Sequence, residues 1–282
     1  CRTYFWDKTG FPSEYFRIIE LEPFSDKQAK DFFNKSFSSN ERKTSKALKL
    51  ANDFKYPTSD KEYIFHPYVL DIIRSIIESE SDQLNIQLTD LHSNYLKPNL
   101  KGDYILFRVC EREKIRVGQI DVDKQIKFFI AFSVDKRGIT KSADLKALLE
   151  ISVGEKIDNT TVEAFKSHPF LKIIDNSLVF RYDFLIDIFK GIYMSKYFCY
   201  QEENIKITKS FLDILNESCW YGSALNIEIV NRVTRWSDDD LLLVSDIINQ
   251  IKHDKSLTEE NLRKSIANVF NLCLSINGKF KD

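Results

Sequence analysis

The sequence predicts a mainly α-helical chain: a helical domain, a winged-helix-like domain with a small β-hairpin, and a helical stack after it. Three observations predict this. Glycine and proline are scarce, 8 and 6 among 282 residues, so few positions break a helix. Apolar residues recur at helical spacing along most of the chain. Within the chain interior the period shortens at Leu171-Lys172-Ile173-Ile174 and Leu178-Val179-Phe180, two strands split by Asp175-Asn176-Ser177, which is a hairpin signal.

The elements follow in order. Arg17-Ile18-Ile19-Glu20-Leu21 is a short buried strand ended by Pro23, and residues 1–24 form a first segment. Ser25 and Gln28 make a capping box ahead of Ala29, Phe32 and Phe33. A second helix fits Arg42 to Phe54. A third starts at Pro67, where a first turn tolerates proline, and carries Leu70, Ile72, Ile73, Ile76 and Ile77. Together with a helix over about Asp82–Leu96 these make a helical domain over 25–100.

The next domain spans 101–200. Helices fit Tyr104–Arg116 and Val122–Val134, punctuated by Gly118 and Gly138. Two shorter helices fit Ser142–Leu149 and Asn159–Lys166, the second capped by Asp158 or Asn159. The hairpin follows, then a helix from Asp183 to about Tyr197 with Leu185, Ile188, Phe189 and Ile192 on one face. Short helices, a hairpin wing and a flanking helix read as a winged helix. Over 201–282 the helices Ser210–Glu217, Ser223–Trp236, Asp238–Ile251 and Thr258–Ile276 follow, with Ser237 and Thr258 as caps.

Composition bounds the function. With 43% hydrophobic and 13% aromatic residues the chain builds a packed core rather than a disordered coil. Its 41 basic and 42 acidic residues cancel to a net charge of -1, so no whole-chain field draws it to nucleic acid or anionic lipid. Cys1, Cys110, Cys199, Cys219 and Cys273 are scattered with no C-x-x-C pair, which argues against zinc and for reduced core thiols of a cytoplasmic protein. No apolar run approaches the ~20 residues that span a bilayer, so no membrane is expected as a partner. The opening Cys-Arg-Thr-Tyr-Phe reads as the interior of a longer polypeptide.

Catalytic motifs are missing. No G-x-x-x-x-G-K-[ST] loop is present, and Gly278-Lys279 and Gly154-Glu155-Lys156 lack its spacing. Neither G-x-G-x-x-G nor H-E-x-x-H occurs, and His66, His92, His168 and His253 lie far apart. Asp238-Asp239-Asp240 reads as an acidic first helical turn, not a metal site. Arg112, Glu113 and Arg116 read as a solvated or inter-domain ion pair. Arg232 and Arg235, near Trp236, read as residues of a helix face able to meet a partner.

Four local patterns, in one order, resemble the NACHT/NB-ARC class of STAND NTPases. Cys1-Arg2-Thr3 looks like the end of the family's sensor strand. Phe16 to Phe24 with Ser25–Phe33 is similar to its last core strand and first arm helix. His66-Pro67-Tyr68-Val69-Leu70 looks like its x-Pro-Leu segment. Phe180-Arg181-Tyr182-Asp183-Phe184-Leu185-Ile186-Asp187-Ile188-Phe189 resembles its F-x-H-x-x-x-x-E-[FY] pattern, with Tyr182 where the family has histidine.

The resemblance implies the regulatory arm of a signalling ATPase: the end of the nucleotide core, a helical arm, a winged helix and the start of a sensor superhelix. It implies ATP or ADP as cofactor, with Mg, both held by an N-terminal nucleotide-binding core of the same polypeptide. It also implies homo-oligomerisation on activation, a protein or ligand trigger, and a role in signal transduction or bacterial defence. No catalysis is expected of this chain alone. Within the resemblance Arg2 senses the γ-phosphate, Pro67 packs near adenine, and Tyr182 approaches a phosphate. Each has a plain alternative: a surface arginine, an N1 proline, and an aromatic that closes the wing onto the core. Two other readings stand beside this one, a winged-helix nucleic-acid binder and an α-helical interaction scaffold. The helices preceding the hairpin carry Lys146 and Lys166 against Asp144 and Glu163, so nucleic acid is not the expected partner.

Overall fold

Ser25 opens the first helix in the manner its sequence requires. Its hydroxyl accepts from the Gln28 amide at 3.4 Å, and the Gln28 side chain accepts from the Ser25 amide at 2.9 Å, so two end groups are satisfied at once. The computed structural model describes residues 24–52, 56–57, 63–65, 67–79, 93–97, 100–199, 206–237 and 240–281. Arg2, the strand predicted at Arg17–Leu21, His66, Asp238-Asp239 and most of the helix predicted over 82–96 lie outside them. The chain divides into two compact units, Cys1–Glu80 and Ser81–Asp282.

The first unit is a three-helix packing of α1 (Asp26–Ser36), α2 (Glu41–Asn52) and α3 (Pro67–Ser79). Between α2 and α3 lie the short paired strands β1 (Tyr56–Pro57) and β2 (Tyr63–Ile64). Ala29 and Phe33 from α1, Ala47 and Ala51 from α2, and Leu70, Ile73 and Ile77 from α3 are buried together in the first unit. Among the described side chains of α3, Val69, Leu70, Ile72, Ile73 and Ile77 are buried. On its polar side Arg74 pairs with Asp71 at 2.9 Å and Glu78 at 2.8 Å.

The second unit begins with a correction. Residues 93–97 are irregular rather than the end of a helix. The Ser93 hydroxyl accepts from the amides of Tyr95 and Leu96 at 3.2 Å, and Asp123 accepts from the Asn94 amide at 3.0 Å and its side chain at 2.7 Å. Short polar side chains have here outcompeted the helix for the backbone. α4 (Lys101–Glu113) and α5 (Val122–Val134) follow, α5 capped by Asp121.

From α5 onward the order is helix, strand, helix, helix, strand, strand, the order of a winged helix. β3 (Ile139–Lys141) leads through a 3-10 turn into α6 (Leu145–Val153). α7 (Asn159–Lys166) is capped by Asp158, which accepts from the Thr161 amide at 2.7 Å. β4 (Leu171–Ile174) and β5 (Ser177–Phe180) form the hairpin, and β5 lies between β4 and β3 in an antiparallel sheet. The turn is two residues long. Asp175 and Asn176 both have positive φ, 47° and 61°, the conformation a two-residue hairpin requires and that Asn and Asp tolerate. β3 was not anticipated. Three residues are too few to show an alternation, and in sequence Gly138 reads only as a break between helices. Its φ of 77° and the 2.9 Å that a Cβ there would leave to Ile186 show a second requirement, close approach of the sheet to the next helix.

That helix, α8 (Phe184–Ser195), continues as a 3-10 turn over Lys196–Phe198 and joins two cores. At its start Leu185 and Phe189 enter a core of Phe128, Phe129, Phe132, Phe165, Phe170 and Phe180. At its end Met194, Tyr197 and Phe198 enter a second core. The second core is built by α9 (Lys209–Ser218), α10 (Ala224–Arg232), α11 (Asp240–His253) and α12 (Glu259–Lys281), with α12 packed on the other three. Thr208 and Ser223 cap α9 and α10, and Thr258 caps α12 as predicted. α10 stops at Arg232, short of the predicted Trp236, because Val233 turns extended. Among the described residues, no helix is long and apolar enough to cross a membrane.

His168 lies fully buried between Phe129, Phe165 and Phe170, with ring centroids 4.9 to 5.5 Å away. Its Nδ1 accepts from the Phe170 amide at 3.2 Å, which leaves the proton on Nε2, and that atom has no partner. The unmade bond costs about 1–3 kcal/mol, less than two buried rings return at roughly 1.5–3 kcal/mol each. Burial, and secondarily the charge of Arg116, push the imidazole down from 6.5 to about 3. The unfolded chain therefore takes up a proton first. The stability held by the neutral ring is complete above pH 6.5 and is lost as pH falls from there toward 3. We predict that urea midpoints fall between pH 7 and pH 5 by more in the wild type than in His168→Asn. Asn keeps an acceptor for the Phe170 amide, starts less stable through lost ring packing, and has nothing to protonate.

Candidate functional site

The residues that the sequence singles out sit at element junctions. Pro67 is the first residue of α3 and half-buried. The chain reaches it from a fixed bridge, since Phe24 and Phe65 exchange two 2.8 Å backbone bonds. Tyr182 lies in the elbow between β5 and α8, half-buried, with its ring 5.8 Å from that of Phe184. The elbow is rigid. The Arg181 amide donates to Phe170 at 2.7 Å, its guanidinium to Leu171 at 3.3 Å, and the Tyr182 carbonyl accepts from Leu185 at 3.1 Å. Pro67 belongs to the first unit and Tyr182 to the second.

The acid five residues beyond Tyr182 leads to a second, unforeseen site. Asp187 lies on α8, and its field reaches Lys190 and Glu228. Lys190 is 7% exposed. Burial lowers its pKa, against the pull of Glu217 and Asp187. Arg232, at the end of α10, is 1% exposed. Its guanidinium donates to both oxygens of Asp103 at 2.7 and 2.6 Å, and to Glu228 at 2.6 Å. Asp103 is equally buried, lies in the first turn of α4, and also accepts from the Lys97 amide at 2.7 Å. Burial pushes the Glu228 carboxyl above its ordinary value, and Asp103 and Asp187 add to this against the pull of Arg232.

A glycine makes the arrangement fit. Gly191 lies in α8, where a Cβ would stand 2.5 Å from Cγ of Glu228 and 3.7 Å from Nε of Arg232. Glycine costs a helix interior roughly 1 kcal/mol relative to alanine, and here it lets α10 lie directly on α8.

Two expectations are corrected. Arg232 is neither a solvated face residue nor a partner contact, because its head is enclosed. Glu113 is not solvated either: it is 2% exposed and lies 3.2 Å from Arg116. Arg116 in turn donates to the carbonyl and hydroxyl of Ser167 at 2.8 and 2.7 Å, tying the end of α4 to the end of α7. The i, i+4 spacing of Glu228 and Arg232 was a signal for half of the buried cluster. Nothing in sequence points from Arg232 to Asp103.

No group of three His, Cys, Asp or Glu side chains among them can hold a metal. The described cysteines are free. Burial pushes Cys219 and Cys273 up to about 12, far from a reactive thiolate. No protein-family model matches the sequence, and no curated protein matches it.

Removing one partner of a buried pair strands the other. Arg232→Met should therefore lower unfolding free energy by about 3–5 kcal/mol. Glu228→Gln, which keeps an acceptor for Arg232 and removes a crowded negative charge, should leave stability unchanged or raise it at pH 7. Urea melts of both variants check this. Equal losses in the two would contradict the charge balance given above.

Proposed function

We propose that the chain is the regulatory arm of a STAND-type signalling ATPase, coupling nucleotide state and ligand sensing to domain rearrangement. The observation that carries the reading is the elbow at Tyr182. A winged-helix order of elements ends in a strand whose last residues run through Phe180-Arg181-Tyr182 directly into α8, where the resembled pattern puts its phosphate-contacting residue. The helical unit with Pro67 at a helix start precedes it. In this reading ATP or ADP and Mg are bound by an N-terminal core of the same polypeptide, Arg2 belongs to that core, and Pro67 and Tyr182 touch the nucleotide rim. Activation, homo-oligomerisation, the trigger and a cytoplasmic role in defence or signalling belong to the same proposal.

Binding of nucleic acid through the winged helix has less support. On α7 Lys166 is tied to Glu163 at 2.6 Å, and Lys146 on α6 is bonded to Asn159 at 3.0 Å. These two lysines of the helices before the hairpin are thus engaged within the domain.

Calorimetry with ADP and ATP on the longer polypeptide tests the proposal. Pro67→Ala should weaken ADP binding by roughly tenfold, about 1.4 kcal/mol. Tyr182→Phe should weaken it as well if the hydroxyl has taken the histidine's place. A polypeptide that binds neither nucleotide, or binding by residues 1–282 alone at the same affinity, would sink the reading and favour a scaffold.

A further inference from the structure

The outer face of α12 is unlike that of a solvated helix. Its inner face is fully used, since Val269, Leu272 and Ile276 enter the core shared with α9, α10 and α11. At 3.6 residues per turn, Ala267, Phe270, Leu274 and Gly278 fall on the opposite side, and all four are exposed. Phe270 is 52% and Leu274 66% exposed. From Ser265 to Gly278 the sequence holds no charged residue, a stretch of about 21 Å of helix. A helix that meets water along one side normally carries charge there. Here apolar side chains stand in its place, flanked by the half-buried Asn271 and Asn277.

Gly278 is a second observation on the same face. Glycine costs a helix interior roughly 1 kcal/mol relative to alanine. At Gly191 the close approach of Glu228 accounts for it. At Gly278 the backbone is helical and a Cβ would meet nothing within 4 Å, so no contact among the described residues requires glycine there. α11 extends the face. It joins α12 through the short turn 254–258 and packs along it, so the two helices run antiparallel. Leu241 and Leu242, 53% and 68% exposed, stand at the start of α11 and hence toward the end of α12 that carries Gly278.

We propose that a second copy of this chain covers this face, with the two α12 helices antiparallel and a two-fold axis at Leu274. In that register Leu274 meets its own copy, Phe270 lies over the partner's Gly278, and Asn271 meets the partner's Asn277. A large side chain thus faces an absent one, twice, and two amides that each donate and accept face one another. A two-fold axis sets a residue against its own image, where a charge would repel itself. The uncharged run from Ser265 to Gly278 meets that condition, and it offers a charged partner nothing to pair with. The net charge of -1 adds no repulsion between copies. At about 200 Å² for a large apolar side chain, Leu241, Leu242, Phe270 and Leu274 leave roughly 500 Å² open on each copy. Pairing hides roughly 1,000 Å² in all, the low end of specific interfaces, which suits a dimer of micromolar affinity. The contact does not rest on the nucleotide reading, and its test contains no nucleotide.

Sedimentation velocity on the 282-residue chain, across the micromolar range, tests it. The wild type should pass from monomer to dimer as concentration rises. Leu274→Arg sets two like charges on the axis and should weaken the dimer at least tenfold, about 1.4 kcal/mol. Its urea midpoint, read where the chain is monomeric, should stay unchanged, because the side chain stands mostly in water. Gly278→Leu fills the seat of Phe270 and should weaken the dimer as well. Leu274→Arg mixed with Leu274→Glu should dimerise again, since only a residue that meets its own copy is rescued by opposite charges at one position. A wild type that stays monomeric, a dimer that Leu274→Arg leaves intact, or a mixture that does not recover would each overturn the proposal. Should Leu274→Arg lose its fold, Gly278→Leu decides: a weaker dimer supports the contact, and an unchanged one refutes it.

Discussion

A guanidinium keeps its charge at any pH a protein meets, so a buried arginine makes its counter-ion compulsory. Arg232 is enclosed at the end of α10, and Asp103 is the carboxylate that answers it with two bonds of 2.7 and 2.6 Å. The requirement reaches far. The chain must return after 129 residues, and the segment between the two charges contains the winged helix. α8 must pass beside the pair, and at the crossing it carries Gly191. The segment before α4 must come close enough for the Lys97 amide to donate to the same carboxylate. One charge pair thus restricts where α4, α8 and α10 can sit. Apolar burial restricts them far less, because apolar contacts tolerate sliding and a bidentate pair does not.

How much of this could be read from sequence depends on how local each cause is. The Ser25–Gln28 capping box, the N1 proline of α3, the cap of α7 and the hairpin turn are satisfied within a few residues and are present, with Asp158 rather than Asn159 as the cap and Ser177 in the strand rather than in the turn. β3 is three residues long and exists because β5 supplies its bonds. No window centred on Ile139 contains that information. Ser93-Asn94 failed in the same way. Their backbone is held by Asp123, some thirty positions on, and helical spacing alone does not reveal a distant acceptor. Arg232 is the extreme case. Its sequence neighbourhood reads as a helix face, and only the fold shows that the face is covered.

The candidate site divides along the same line. Tyr182 was legible because its neighbours form a linear pattern, and the structure adds the reason for its rigidity, the Arg181 bonds that clamp the elbow to Phe170 and Leu171. Pro67 was legible as a helix start and is one.

The placement of charge explains why the cluster lies where it does. A joint sealed by apolar side chains opens only by exposing them, at roughly 25 cal/mol for each Å² wetted, and a chain with two apolar cores already has much to lose that way. A joint sealed by ions loses its mutual attraction on opening but regains the hydration of each charge, so the two terms offset. α8 contributes apolar side chains to both cores, with Leu185 and Phe189 at one end and Met194 and Tyr197 at the other, and is held at each end by packing. The crossing at Gly191, where α10 lies directly on α8, is therefore fixed by packing on both sides as well as by the charge pair beside it.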